Sequence, residues 1–121
     1  VAFLPSILQT LIALGILNVW LLRAGAKTAY RGGAAGSMRE EFRVYGLPAW
    51  FMYVVGGLKL ALAFALLLAI RVEGLAQPAA IAMGALMLGA LGMHLKVKDP
   101  VAKSLPAAAM LAMCAALVLL T

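Results

Sequence analysis

The stretch VVGGLKLALAFALLLAI, residues 54–70, decides the fold: it is leucine- and alanine-rich, and Lys59 is its single charged residue. It lacks the alternation of apolar and polar residues that a half-buried strand shows. With residues 47–53 ahead of it, the run exceeds the roughly 20 helical residues that cross a hydrocarbon layer. In lipid the backbone must satisfy its own hydrogen bonds, so such a run is a membrane-spanning helix. Three more runs match it, and the four spans are expected near 3–22, 47–70, 77–95 and 103–121. The fold class that follows is all-α, a four-helix membrane bundle.

The composition agrees. Of 121 residues, 66% are hydrophobic and 12% charged, and the mean hydropathy is +1.08. A soluble chain this short buries too little of its surface to hide that much apolar side chain. The formal charge of +6 would suggest nucleic acid in a soluble protein. Here the basic residues flank apolar runs, which points to topology and to anionic lipid headgroups, not to nucleic acid.

Between spans one and two lie Arg23, Lys27, Arg31, Arg39 and Arg43, and between spans three and four lie Lys96, Lys98 and Lys103. The connection between the middle spans holds only Arg71 among Lys and Arg. The positive-inside rule therefore places connections 23–46 and 96–103 in the cytoplasm, with both termini outside. In the first connection, RGGAAGS (31–37) reads as flexible. SMREEFRVYGLP (37–48) reads as a short amphipathic helix on the inner leaflet. Ser37 and Glu40 form a capping-box pattern, and Gly46 provides a stop. Met38, Phe42 and Tyr45 share one face of that helix. Trp20, Trp50 and Tyr53 fall where an aromatic belt belongs.

Small residues recur along the spans: Gly57, Ala61, Ala65 and Ala69; Ala85, Gly89 and Gly92; Ala108, Ala112 and Ala115. Such stripes suit close helix packing, within the bundle or between copies. Cys114, the one cysteine, reads as a small buried hydrophobe. Met83, Met87, Met110 and Met113 lie at middle depth, as core filler or as the wall of a plastic pocket.

Lys59 is the chemical anomaly. It sits about 15 Å from either interface, beyond the reach of its stem, and a lysine at that depth costs about 3 kcal/mol. All four acids, Glu40, Glu41, Glu73 and Asp99, lie in connections, so no ion pair is expected at that depth. Three outcomes remain open. The amine gives up its proton; it bonds neutral acceptors such as Gln9, Asn18 or Tyr53; or a ligand or partner supplies the acceptor. Gln9 is the nearest internal candidate, and Gly56 and Ala63 leave room beside the lysine. His94, at the inner end of span three, reads as interfacial, with proton exchange to a ligand as the functional alternative. Asp99–Pro100 reads as the cap and first residue of a helical turn, and Ser104 with Pro106 as a second such start. The candidate ligand- or partner-binding residues are Lys59, Gln9, Gly56, His94 and Tyr53. No catalytic or metal-ligating constellation is present.

EEFRVYGLPAWFMYVVGGLKL (40–60) and MHLKVKDPVAKSLPA (93–107), set at two junctions of a four-span chain, resemble the DoxX-like family of small membrane proteins. The resemblance covers nearly the whole chain as a single domain over 1–121. It implies a four-helix bundle in the cell membrane, for a bacterium the inner membrane. It also implies accessory, assembly or adaptor roles, with quinone as the cofactor linked to founding members and a chaperone in a distant eukaryotic branch. The expected function is an accessory or adaptor subunit that holds a membrane partner or lipophilic ligand around Lys59. A quinone-associated subunit of an oxidoreductase is the alternative, and a dimeric small-molecule or lipid transporter a third reading. Gly46, Pro48, Lys59, His94, Asp99, Pro100 and Pro106 fall within the matching motifs.

Overall fold

The computed structural model describes residues 3–25 and 30–121; Lys27, counted above with the first connection, lies outside them. Five α-helices follow in order: α1 (Leu4–Leu17), α2 (Met38–Val44), α3 (Ala49–Leu68), α4 (Ala76–Lys96) and α5 (Leu105–Leu120). A π-helical turn, Asn18–Leu22, extends α1, and a 3₁₀ turn, Val101–Ser104, leads into α5. Four helices are long and apolar enough to cross a membrane: Leu4–Leu22, Ala49–Leu68, Ala76–Lys96 and Val101–Leu120. Each boundary falls within two residues of the sequence expectation. The expected short helix is α2.

The four long helices form a ring in which α1 meets α3 and α5, and α4 meets α3 and α5. The packed core lies in the half nearest the α3–α4 turn. There Ile12 and Ala13 of α1, Ala63 and Leu66 of α3, Ala80 and Met83 of α4, and Cys114 and Leu117 of α5 are closed off from solvent. Lipid tails are as apolar as leucine, so this half is held by close dispersion contact rather than by escape from water. Gln9 adds a polar tie. Ile70 turns its N–H to Leu67 O rather than Leu66 O, which leaves the Leu66 carbonyl among the orphans at the α3 C-terminus. The Gln9 side-chain amide donates to it at 2.9 Å, in the buried interior.

Of the small-residue stripes, Ala65 packs against this core. Gly57, Ala61, Gly92, Ala108, Ala112 and Ala115 are exposed, and Ala85 and Gly89 line the hollow half of the ring. The core positions lie on other faces, where Ala63, Ala80 and Ala13 allow the close approach.

The end that carries the first and third connections is organised by turns. Ser37 caps α2, its hydroxyl accepting from Glu40 N at 3.2 Å, and the Glu40 carboxylate reaches back to Gly36 N at 2.7 Å. Gly46, at φ +80°, stops the helix: Gly46 N bonds Arg43 O and Leu47 N bonds Phe42 O, a Schellman pair. The apolar face of α2 packs onto the bundle. Met38 and Phe42 are buried against Met52, with Trp20, Leu47 and Phe51 around them. The segment read as flexible, 31–37, has fixed partners. Gly32 lies under the Tyr45 ring so closely that an added Cβ would come within 2.5 Å of it. Arg31 is buried at 5% exposure.

Candidate functional site

The second half of the ring is hollow. A cavity of about 750 Å³ opens between α1 and its π turn, α2, α3, α4 and α5, within the range of small-molecule sites. Its inner wall is apolar, with Ile16, Val55, Leu86, Met87 and Met110. Its outer rim carries Arg31, Glu41, Tyr45, His94 and Lys103. Lys59 joins the apolar part. Met87 and Met110 line the cavity, whereas Met83 and Met113 belong to the packed half.

Lys59 is half-buried. Among the described residues nothing accepts a hydrogen bond from its ammonium and no carboxylate lies within ion-pair distance; its Nζ stands 5.4 Å from the centre of the Trp20 ring. A cation over an indole face is attracted by the ring quadrupole, a partner outside the neutral oxygen acceptors expected from the sequence. The π turn carries Trp20, and Gly56 admits it: a Cβ at Gly56 would stand 2.5 Å from the ring. Gly56 thus makes room for an indole, not a ligand, and does not line the cavity.

Two other expected residues also leave the site. Gln9 is committed to Leu66 O, seven residues along α3 from Lys59, so it is a helix cap and not the lysine's mate. Tyr53 is exposed at 61%, its hydroxyl bonded by Arg39 and its ring under the same guanidinium at 5.7 Å.

His94 is brought in. It stands in the last turn of α4 and is buried, at 6% exposure. Its Nδ1 lies 2.7 Å from Asp99 Oδ2. Asp99 does not cap the following turn; that place is taken by Pro100. Lys98 at φ +57° folds the chain back, with Lys98 N on Leu95 O and Asp99 N on His94 O. This second Schellman pair swings Asp99 over the histidine. The other carboxylate oxygen, Oδ1, accepts from Gly33 N at 2.9 Å and lies 3.9 Å from Lys103 Nζ. Burial by itself would raise the Asp99 carboxyl. The bonds from His94 and Gly33, with the positive charge of His94 and Lys103, outweigh it and hold the group below the ordinary aspartate range. With Nδ1 bound, the free ring position is Nε2. Among the described residues Nε2 forms no hydrogen bond, and His94 lines the cavity. Ser104 precedes α5 without a side-chain capping bond.

Glu41, a connection acid, reaches the cavity after all. It pairs with Arg31 at 3.1 Å through Oε2 and accepts from Tyr45 Oη at 2.5 Å through Oε1. Arg31 also donates to the Arg23 and Ala24 carbonyls and to Met38 Sδ. The Tyr45 phenol is pushed far above its ordinary range by burial, then by the Glu41 hydrogen bond and charge, so it stays a donor. Tyr45 also stands edge-on to His94, with ring centres 6.1 Å apart. Lys96 donates to Tyr45 O at 2.7 Å and Lys103 to Gly33 O. The first and third connections thus clasp each other over the mouth of the cavity. No signal in the sequence announced the roles of Arg31, Glu41 and Tyr45. The five-residue spacing of His94 and Asp99 across a helix end was the one readable hint.

Fold and cavity together define a small integral membrane protein, a four-helix bundle hollow at one end. The DoxX-like family model matches residues 7–117, and the chain belongs to that family. Neither the curated proteins nor the solved structures compared with it give a match.

Proposed function

We propose that the protein is an accessory membrane subunit that holds a lipophilic ligand in the cavity around Lys59. One observation carries this reading: an ammonium lining a cavity of about 750 Å³ deep in a membrane bundle, without an ion-pair partner among the described residues. Intramembrane ionisable groups mark ligand or ion sites by default. The outward small-residue faces, Gly57 and Ala61 above all, suit close approach by a second transmembrane helix, from a partner or another copy. The basic bias of the first and third connections favours a cytoplasmic cavity mouth beside anionic headgroups, with both termini outside, as in a bacterial inner membrane.

A quinone is the second reading, favoured by His94. The residues fit such a group: Lys59 would donate to a carbonyl oxygen, and His94 Nε2 would take or give a proton while Asp99 holds the ring's tautomer. A bound quinone would supply two-electron, two-proton chemistry. Native mass spectrometry from mild detergent tests both readings. Wild-type protein should retain a lipophilic adduct, and Lys59→Met should lose it with the fold intact. Equal retention by Lys59→Met refutes a ligand held by the lysine. An extracted adduct with a quinone difference spectrum selects the second reading.

A further inference from the structure

We infer that the head of the ligand in this cavity is a monoanion, a carboxylate or phosphodiester at the end of a hydrocarbon chain, seated on Lys59. This rests on the reading of the cavity as a ligand site and adds the sign of the ligand. Among the described residues the wall holds four cations, Arg23, Arg31, Lys59 and Lys103, against one carboxylate, Glu41. That carboxylate is spent, since Arg31 holds one of its oxygens and Tyr45 the other. Lys103 is committed to Gly33 O, with Asp99 beside it. Lys59 stands over the Trp20 ring, and both side chains line the cavity. A cation–π contact offsets part of the desolvation of an ammonium but does not neutralise it. An anion from the cavity would do so. The apolar wall around Lys59, with Val55, Met87 and Met110, suits a hydrocarbon chain rather than a hydrated inorganic ion.

The test uses tryptophan fluorescence. Trp20 and Trp50 are the two tryptophans, and Trp50 is exposed at 65%, so Trp50→Phe leaves Trp20 as the reporter beside Lys59. The protein is placed in phosphatidylcholine nanodiscs and titrated at pH 8 with brominated palmitate, its methyl ester, or brominated phosphatidylglycerol. Palmitate should quench Trp20 saturably and at least about tenfold more tightly than the ester. Lys59→Met should abolish that preference, and Lys59→Arg should retain it. Phosphatidylglycerol active in place of palmitate also supports the monoanion and makes a lipid headgroup its source. Equal saturable quenching by acid and ester leaves the ligand site standing and overturns the anion. The absence of saturable quenching by any probe overturns both.

Discussion

Gln9 and Lys59 are the two polar side chains that a membrane chemist would pair from the sequence, and the structure separates them. The glutamine takes the nearest orphan acceptor, the Leu66 carbonyl at 2.9 Å, because a helix end in an apolar interior must find donors from somewhere. Gln9→Leu should therefore cost about 1–3 kcal/mol of stability, the penalty of an unsatisfied buried carbonyl. Ligand retention around Lys59 should be unchanged. Unfolding in mixed micelles measures the first and native mass spectrometry the second; an adduct lost in Gln9→Leu would return the glutamine to the site. The lysine could not be partnered by inspection because its mate is an indole thirty-nine positions away, presented by a π turn that no residue pattern advertises.

At the scale of elements, the π turn and α3 depend on each other. A wide turn at Asn18–Leu22 carries Trp20, and such turns gather at functional sites. Gly56 supplies the space for it. Gly56→Ala must displace a bulky ring and should cost about 1–3 kcal/mol. In a Trp50→Phe background it should shift Trp20 emission. Gly57→Ala is the control, since nothing lies within 4 Å of a Cβ there; equal effects from the two would disprove the close approach. The span boundaries, the α2 cap and its Gly46 stop were legible because they rest on local chemistry. The burial of Met38 and Phe42 against Met52 was not. An apolar face of a seven-residue helix suits a lipid surface and a protein groove equally, and only the neighbouring helices choose between them.

At the scale of the whole molecule, one half of the ring is packed and the other hollow, and the connections close over the hollow end. Asp99 is the pin of that closure, joining Gly33 of the first connection to His94 of α4. Its carboxyl is held below the ordinary range. A carboxylate depressed in the folded state contributes stability above its unfolded value of about 3.9 and loses it as the pH falls through the lower folded value. Asp99→Asn should therefore be less stable than wild type at pH 7, and the gap should narrow as the pH falls below about 4. Melting in detergent across pH 3–8 checks this; a gap of unchanged size from pH 7 down to pH 3 would show that charge is not what Asp99 contributes.

The amino-acid order by itself determined that the chain crosses the membrane four times, where each crossing begins and ends, and that one lysine would lie inside with no acid in any span. Those follow from lengths, hydropathy and the rule that backbone groups in lipid must bond locally. Tertiary structure alone decided which faces meet, turning Gly57 and Ala61 outward, Ala85 and Gly89 toward the cavity, and leaving one half of the ring open. It also assigned the partners: Trp20 to Lys59, Leu66 O to Gln9, Asp99 to His94. The physical reason is that in a bilayer apolar side chains gain little by choosing protein over lipid. Facing is therefore set by shape complementarity and by a few long-range polar contacts, and neither is written in the periodicity of a uniformly apolar helix.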